Sequence, residues 1–119
     1  MTQDKLNEIF KKHEKWLNGN EGGEIADLHG ANLRGDDLRG ANLDYACWPL
    51  WCGSLHACID DRIAAQLIYH TCSAIAYSPY VSERYKRIML SRDVLDIANE
   101  FHRVDECGIL TPYKTAERG

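Results

Sequence analysis

The sequence predicts a single α+β domain in which a short solenoid coil lies between helices. The chain has 119 residues, of which 45% are hydrophobic, and this length suits one domain with one buried core. Residues 26–45 repeat every five positions, whereas the flanking segments place apolar residues at helical spacing. We therefore expect one domain over residues 1–119, with a capping helix at 1–20, a coil and junction at 24–55 and a helical part at 60–106.

The first element is predicted to be an amphipathic helix. Apolar residues recur at helical spacing from Leu6 to Leu17, and Asn18 with Gly19 supplies a left-handed stop. The lysines of this segment point outward, so we expect its apolar stripe to cover an open end of the coil. His13 lies on the same stripe, where a packed histidine is more common than a metal ligand.

The coil is predicted from four consecutive five-residue units. Leu28, Leu33, Leu38 and Leu43 occupy the same place in each unit. Residues five apart rotate steadily away from one face of an α-helix, whereas a squared coil can turn each leucine, and the small residue two before it, inward. Asp36 stands where the other three units have alanine. A carboxylate there is expected to be paired, hydrogen-bonded or at an open edge, because burying it alone is costly.

These units, at 26–30, 31–35, 36–40 and 41–45, resemble the pentapeptide-repeat family, whose motif is a small residue, Asp or Asn, Leu and two variable positions. The match covers about a sixth of the chain. The resemblance implies a right-handed quadrilateral β-helix with four units per turn, of which this chain would hold about one to one and a half turns. A coil this short needs closure at both ends, so an N-terminal helix and a C-terminal bundle of about three helices are expected to cap it.

Three helices are predicted after the coil. Asp60 and Asp61 place carboxylates at the positive end of the first, and its apolar face continues to Ile75. Ser82 and Ser91 are candidate N-caps of the second and third helices. In the second helix Tyr85, Ile88 and Met89 are expected to turn inward. Its basic residues, Arg84, Lys86 and Arg87, are expected to lie partly outward.

Charge is unevenly distributed along the chain. The net charge is −4, but residues 21–61 carry −6 and residues 62–92 carry +4. This polarity argues against direct nucleic-acid binding, which needs an extended basic face. An acidic surface suits a basic partner, although it also fits a surface that only keeps the protein soluble. The candidate partner-binding acids are Asp27, Asp36, Asp37 and Asp44 in the coil and Asp93, Asp96 and Glu100 in the third helix.

The sequence predicts no metal, cofactor or catalytic site. Five cysteines in a chain without an export signal favour reduced, mostly buried thiols. Cys47, Cys52, His56 and Cys58 lie within twelve residues, but their spacing lacks the CxxC pair that is typical of zinc sites. A phosphate-binding loop, an HExxH motif and a nucleophile elbow are also missing from the sequence. These observations predict a protein that is not an enzyme.

The apolar content predicts a soluble protein of the cytoplasm without a membrane partner. The apolar run at residues 47–52 contains a proline and is far shorter than the roughly 20 residues of a membrane-spanning helix. The first 20 residues lack the continuous apolar stretch of a secretory signal.

The family resemblance also implies a function. Several pentapeptide-repeat proteins are DNA mimics whose rows of acids replace phosphates, and those of the quinolone-resistance type engage DNA gyrase. The order of helix, brief repeat and helices resembles small phage or prophage-encoded members, among which anti-CRISPR inhibitors have been described. We therefore expect a phage-type inhibitor in the host cytoplasm, which occupies a basic nucleic-acid-binding groove with the acids named above. The alternative is an accessory interaction or scaffold module without mimicry, and the oligomeric state is left open.

Overall fold

The computed structural model describes residues 1–114. The chain divides at Asp60 into two compact units, which we call the coil unit (residues 1–60) and the helical unit (from Asp61 onward). The helices of the described residues are α1 (Gln3–Leu17), a short 3₁₀ helix (Cys52–Ser54), α2 (Asp61–Tyr77), α3 (Glu83–Met89), α4 (Arg92–Ala98) and α5 (Val104–Cys107). None of these helices is long and apolar enough to cross a membrane.

The predicted α+β fold class is wrong, because residues 1–114 form helices but no β-strand. Between α1 and α2 the chain forms turns and two isolated parallel bridges, which join Asp27 to Cys47 and Asp37 to Cys58. A β-helix needs runs of consecutive paired residues, whereas here a turn follows every repeat leucine and limits each pairing to a single bridge. The fold is therefore mostly helical, and a coil of turns takes the place of the predicted right-handed β-helix.

α1 begins and ends where local signals favour a helix boundary. The hydroxyl of Thr2 accepts a hydrogen bond from the Lys5 N–H at 3.2 Å, which caps the first turn. At the other end, the N–H of Asn18 donates to the Glu14 carbonyl at 3.1 Å. Leu6 and His13 are fully buried on the inner face, so α1 packs its apolar stripe within the coil unit.

The repeat leucines lie on the inside of the coil, and the chain turns after each of them. Leu28, Leu33 and Leu38 are fully buried, and Leu43 is nearly so. In each turn the carbonyl of the leucine accepts a bond from the N–H three residues later. These four bonds run to Leu28 from Ala31 (2.9 Å), to Leu33 from Asp36 (3.0 Å), to Leu38 from Ala41 (3.1 Å) and to Leu43 from Ala46 (2.9 Å).

The turns after Leu33, Leu38 and Leu43 place a residue in the left-handed region at their third position, whereas Gly30 in the first turn does not have a positive φ. Gly35 and Gly40 adopt φ values of 74° and 79° there, which cost glycine little because it has no Cβ. In the fourth unit Tyr45 adopts the same conformation with φ 66°. The fourth unit therefore keeps the turn of the second and third units although it has tyrosine in place of glycine.

Residues 46–58 lie alongside the first units as the next turn of the coil. The leucine amides donate across to them: Leu28 to the Cys47 carbonyl (3.0 Å), Leu33 to Gly53 (2.7 Å) and Leu38 to Cys58 (2.8 Å). Each bond spans about 20 residues of chain, which equals four five-residue units per turn.

The helical unit packs around a core drawn from α2, α4 and the segments that follow them. The rings of Tyr69 and Phe101 lie 4.8 Å apart at its centre, and the Tyr69 hydroxyl donates to the Gly108 carbonyl at 2.6 Å. Burial raises the pKa of this phenol, as expected for a group whose charged form loses hydration. The buried residues of the cluster are Tyr69, Cys72, Leu90, Leu95, Ala98, Phe101 and Leu110.

α3 presents a different face from the one predicted. Tyr85 and Ile88 are 58% and 59% exposed instead of turning inward, whereas Met89 packs against the core cluster. α3 has only seven residues, and the core beneath its end is filled by Met89 and Leu90. The short helix therefore leaves the apolar residues of its opposite side uncovered within the described chain.

Candidate interaction surfaces

Asp and Asn side chains of the coil form hydrogen bonds that stabilise the turns of the coil itself. The second position of every unit holds Asp or Asn, and its side-chain oxygen accepts a hydrogen bond from the backbone N–H two residues later. This local bond is an Asx turn, which explains the preference for these two residues. The four bonds join Asp27 to His29 (3.2 Å), Asn32 to Arg34 (3.2 Å), Asp37 to Arg39 (3.0 Å) and Asn42 to Asp44 (3.0 Å).

Asp27 and Asp37 each have a second partner on the coil surface. Asp27 Oδ1 lies 2.6 Å from His29 Nδ1, and hydrogen bonds from the side chain and backbone of His29 lower the pKa of Asp27. The Arg39 guanidinium binds both carboxylate oxygens of Asp37 at 2.9 Å. Hydrogen bonds from the Arg39 side chain and backbone lower the pKa of Asp37 to about 2. Asp27 is exposed and Asp37 is half-buried, and each carboxylate lies against a donor of its own unit.

Asp36 does not lie on the surface. It is 9% exposed, and its Oδ2 atom is buried without a hydrogen-bond partner among the described residues. The expectation that this carboxylate would be paired or at an open edge is therefore wrong for Oδ2. Ala26, the alanine at the same position of the first unit, is also buried. The first position of a unit can therefore be buried whether it holds alanine or an acid.

Asp44 is half-buried beside α1. Its backbone carbonyl takes part in a hydrogen-bonded contact between α1 and the coil, which we call a joint and which the sequence did not reveal. His13 Nε2 lies 2.8 Å from the Asp44 carbonyl oxygen, and the N–H of Ala26 donates to His13 Nδ1 at 3.0 Å. Because Nδ1 accepts, the ring proton lies on Nε2 and donates to Asp44. His13 therefore links α1 to the first and the fourth units at once. Its place on the apolar stripe was the only sequence signal for this burial.

A second joint connects α1 to the third unit. The Gln3 side chain accepts from the Asp37 N–H at 2.8 Å and donates to the Asp37 carbonyl at 2.9 Å. Gln3 thus pairs with the backbone of Asp37 as a neighbouring strand would. Together with His13, it fixes α1 on the coil by polar contacts as well as by its apolar stripe.

The three acids of the C-terminal set are exposed in the helical unit. Asp93 and Asp96 lie on the outer side of α4, and Glu100 follows in the turn after the helix ends at Ala98. None of the three forms an ion pair within residues 1–114. Successive helical residues are rotated by about 100°, so Asp93, Asp96 and the exposed Ile97 share one face of α4.

α3 carries an exposed face of the opposite charge. The outward position expected for Arg84 and Arg87 is confirmed, whereas sequence reasoning missed that Tyr85 and Ile88 lie beside them. At about 100° per residue, Arg87, Arg84, Ile88 and Tyr85 follow one another around an arc of about 160°, and all four are exposed. Neither arginine forms an ion pair within residues 1–114. The +4 charge of residues 62–92 was the signal that could have pointed to this face.

The expectation of mostly buried thiols is wrong. Only Cys72 is buried, and its burial raises the pKa of the thiol. The exposed thiols are those of Cys47, Cys52, Cys58 and Cys107. The backbones of Cys47 and Cys58 form the parallel bridges to Asp27 and Asp37. At these two positions the thiol points to solvent and not into the core of the coil unit. Among residues 1–114, no three His, Cys, Asp or Glu side chains are grouped as metal ligands would be.

The two units differ in their total charge. Residues 1–60 hold ten Asp and Glu against six Lys and Arg, whereas residues 61–119 hold eight of each. The whole net charge of −4 thus belongs to the coil unit, and the helical unit is neutral although its α3 and α4 faces are strongly charged. Comparison of the chain with protein-family models, curated proteins and solved structures finds no match. Membership of the pentapeptide-repeat family therefore stays a prediction.

Proposed function

We propose that the protein is a non-enzymatic interaction module, whose coil unit is a scaffold and whose helical unit binds another protein. The observation that carries this proposal is the outward face of α3, where Tyr85 and Ile88 are each more than half exposed beside Arg84 and Arg87. Tyrosine and arginine are the residues in which binding hot spots are most enriched. Tyr80, which is 95% exposed just before α3, adds a third exposed side chain with apolar area.

The arrangement of the coil acids supports the scaffold role. Asp27, Asn32, Asp37 and Asn42 alternate an acid with a neutral amide that makes the same Asx turn. An amide oxygen makes this turn as well as a carboxylate oxygen does. Turn formation therefore explains the Asp and Asn side chains without the need for a binding partner. The bidentate contact with Arg39 also balances much of the negative field of Asp37, and a phosphate-like surface requires that field.

Site-specific photo-crosslinking in cells that make the protein tests this function. With benzoylphenylalanine in place of Tyr85, we expect covalent products heavier than the 13.6 kDa chain. The matched control replaces Leu50, an apolar residue of the coil unit that is 93% exposed, and is expected to give none. Products from position 50 but not from position 85, or from neither position, would contradict the proposal.

A second candidate function is inhibition by acidic DNA mimicry, and the unpaired acids of α4 favour it. Asp93, Asp96 and Glu100 are exposed without ion pairs in residues 1–114, as acids that replace phosphates in a basic groove would be. With D93N, D96N and E100Q combined, binding to a nucleic-acid-binding partner is expected to fall, and duplex DNA is expected to compete with the parent protein. Unchanged binding together with no competition by DNA would remove mimicry and leave the interaction module.

A further inference from the structure

Two exposed helix faces of the helical unit complement one another in charge. We call Arg84, Tyr85, Arg87 and Ile88 the basic face of α3. The acidic face of α4 consists of Asp93, Asp96 and Ile97, together with Glu100 in the turn that follows the helix. Each face combines charges of one sign with at least one exposed apolar side chain. This pairing of charge with apolar area is what a complementary docking partner would need.

Within the part of the chain that the structure describes, no group of opposite charge pairs with either face. In residues 1–114 the two arginines and three acids form no ion pair. α3 and α4 turn their other sides toward α2 and the core: Met89 packs against the cluster from α3, and Leu95 and Ala98 belong to it from α4. The two faces therefore point away from the interior of their own unit.

We propose that two copies of this chain associate through their helical units, with α3 of each copy against α4 of the other around a two-fold axis. This proposal rests on the proposed function, since it names the partner of the exposed α3 face. A two-fold interface uses the same surface on both copies, and here that surface carries both signs of charge. Each basic face then meets the acidic face of the other copy, so this contact occurs twice in the dimer.

The charge balance favours a second copy over a nucleic acid. Residues 61–119 contain equal numbers of acidic and basic residues, so the helical unit lacks the basic excess that draws a protein to phosphates. A neutral unit with two separated charged faces attracts its own copy in one orientation and repels it in others. The charges thus set the register of the pair, and Tyr85, Ile88 and Ile97 supply apolar area.

The expected affinity is modest. Exposed ion pairs contribute little individually, and two short helices cover less area than the roughly 800 Å² per partner of a standard interface. We therefore expect a dimer with a Kd of about 1–100 µM, which weakens as salt screens the charges.

Analytical ultracentrifugation of charge-swapped variants tests the dimer. The variant R84E/R87E has two acidic faces, and the variant D93R/D96R has two basic faces. Each alone is expected to be monomeric, with Kd raised at least about tenfold. An equimolar mixture is expected to form a heterodimer, because acidic and basic faces then meet at both contacts. The control K11E/K15E reverses two exposed lysines of α1 and is expected to keep the parent Kd.

Several outcomes would overturn the dimer. These are a parent protein that stays monomeric at about 1 mM and low salt, a mixture that fails to associate, or an equal loss in K11E/K15E. Y85S/I88S is a second variant, which removes apolar area without changing charge, and it is also expected to be monomeric. In the crosslinking experiment, a product of twice the chain mass supports a second copy. Products of other masses only would leave the interaction module standing and reject the dimer.

Discussion

In the coil unit the side chains of Asp27 and Asp37 contact partners two residues away, whereas in the helical unit the charges of α3 and α4 point away from their own chain. Asp27 pairs with His29 and Asp37 with Arg39, but Arg84, Arg87 and Asp96 have no ion pair among residues 1–114. The difference follows from geometry. A turn brings residues i and i+2 together, while an α-helix places neighbours in sequence on different sides.

The same contrast holds for what stabilises each unit. The coil is held by bonds that recur every five residues and by one buried leucine per unit. The helical unit depends on contacts between distant parts of the chain, such as that of Tyr69 with Phe101. The paired charges of the repeat, at Asp27 and Asp37, are therefore part of the fold, whereas charge on α3 and α4 is available for another molecule.

The largest expected effect comes from emptying the coil interior. Leu33→Ala should lower the free energy of unfolding by about 2–5 kcal/mol, because the buried side chain leaves a cavity. Leu50→Ala is the matched control, and since Leu50 is 93% exposed it should cost under about 0.5 kcal/mol. Urea unfolding followed by circular dichroism measures both. Similar losses at the two positions would mean that the repeat leucines do not form the core of the coil unit.

Breaking the joint between α1 and the coil should have the next largest effect. His13→Ala leaves the Ala26 N–H and the Asp44 carbonyl without their partner and opens a cavity, which should cost about 2–4 kcal/mol. His29→Ala removes an exposed histidine and should cost under about 1 kcal/mol. Thermal unfolding of both variants distinguishes them. If His13→Ala is the milder change, α1 does not depend on this joint.

A single polar side chain of the helical unit tests its dependence on distant contacts. Asn99 donates to the Leu110 carbonyl and accepts from the Leu110 N–H, both at 2.9 Å. Asn99→Ala should cost about 1–3 kcal/mol, and the Leu110 amide should exchange with solvent faster. Hydrogen exchange read by NMR measures this, with Asn7→Ala on α1 as the control. An unchanged exchange rate at Leu110 would show that the segment is held by its apolar contacts alone.

Asp36→Ala should stabilise the protein. The substitution removes a buried carboxylate oxygen that lacks a partner in the described residues and installs the residue that the other units carry. We expect a gain of about 1–2 kcal/mol. Asp36→Asn keeps the shape but not the charge and should gain less, because its amide also needs partners. A loss of stability in Asp36→Ala, seen as a lower melting temperature, would show that the carboxylate is stabilised by contacts outside the described chain.

The smallest effect concerns the pH dependence of the Asp37–Arg39 pair. The pKa of Asp37 is lowered from 3.8 to about 2. Since the folded value lies below the unfolded one, the pair's contribution is present above pH 3.8 and is lost as the pH falls toward 2. A ¹³C NMR titration of the carboxyl group should show this, and Arg39→Ala should raise the pKa toward 3.8. Arg34→Ala is the control and should leave the Asp37 titration unchanged.

Local features could be predicted well from the sequence. The helix boundaries near Leu17, Ser82 and Ser91 agree with the structure, because helix boundaries depend on adjacent residues. Only Ser91 of the two serines accepts a capping hydrogen bond through its side chain. The inward position of the repeat leucines also agrees, because a five-residue period admits few backbone paths. The strands that the family resemblance implied did not follow, since the turn after each leucine interrupts any continuous pairing.

The candidate acids show that the burial and the partners of a charged side chain could not be predicted from the sequence. Asp93 and Asp96 are exposed as expected, but Asp36 is buried and Asp37 is engaged by Arg39. Sequence assigns a charge to each of these positions but not the burial of the side chain. The sequence also did not place Tyr85 and Ile88 on the basic face of α3, because a short helix with apolar residues on both sides does not reveal which side packs against the core.

By itself the sequence determined the period of the coil, the Asx turn of each unit and the start of each major helix, because these depend on bonds between residues at most a few positions apart. Tertiary structure alone decided that the coil would carry isolated bridges without strands, that His13 would join α1 to two units, and that Tyr85 and Ile88 would face outward. Those outcomes depend on which surfaces compete for the limited space of each core, and that competition involves residues far apart in the chain.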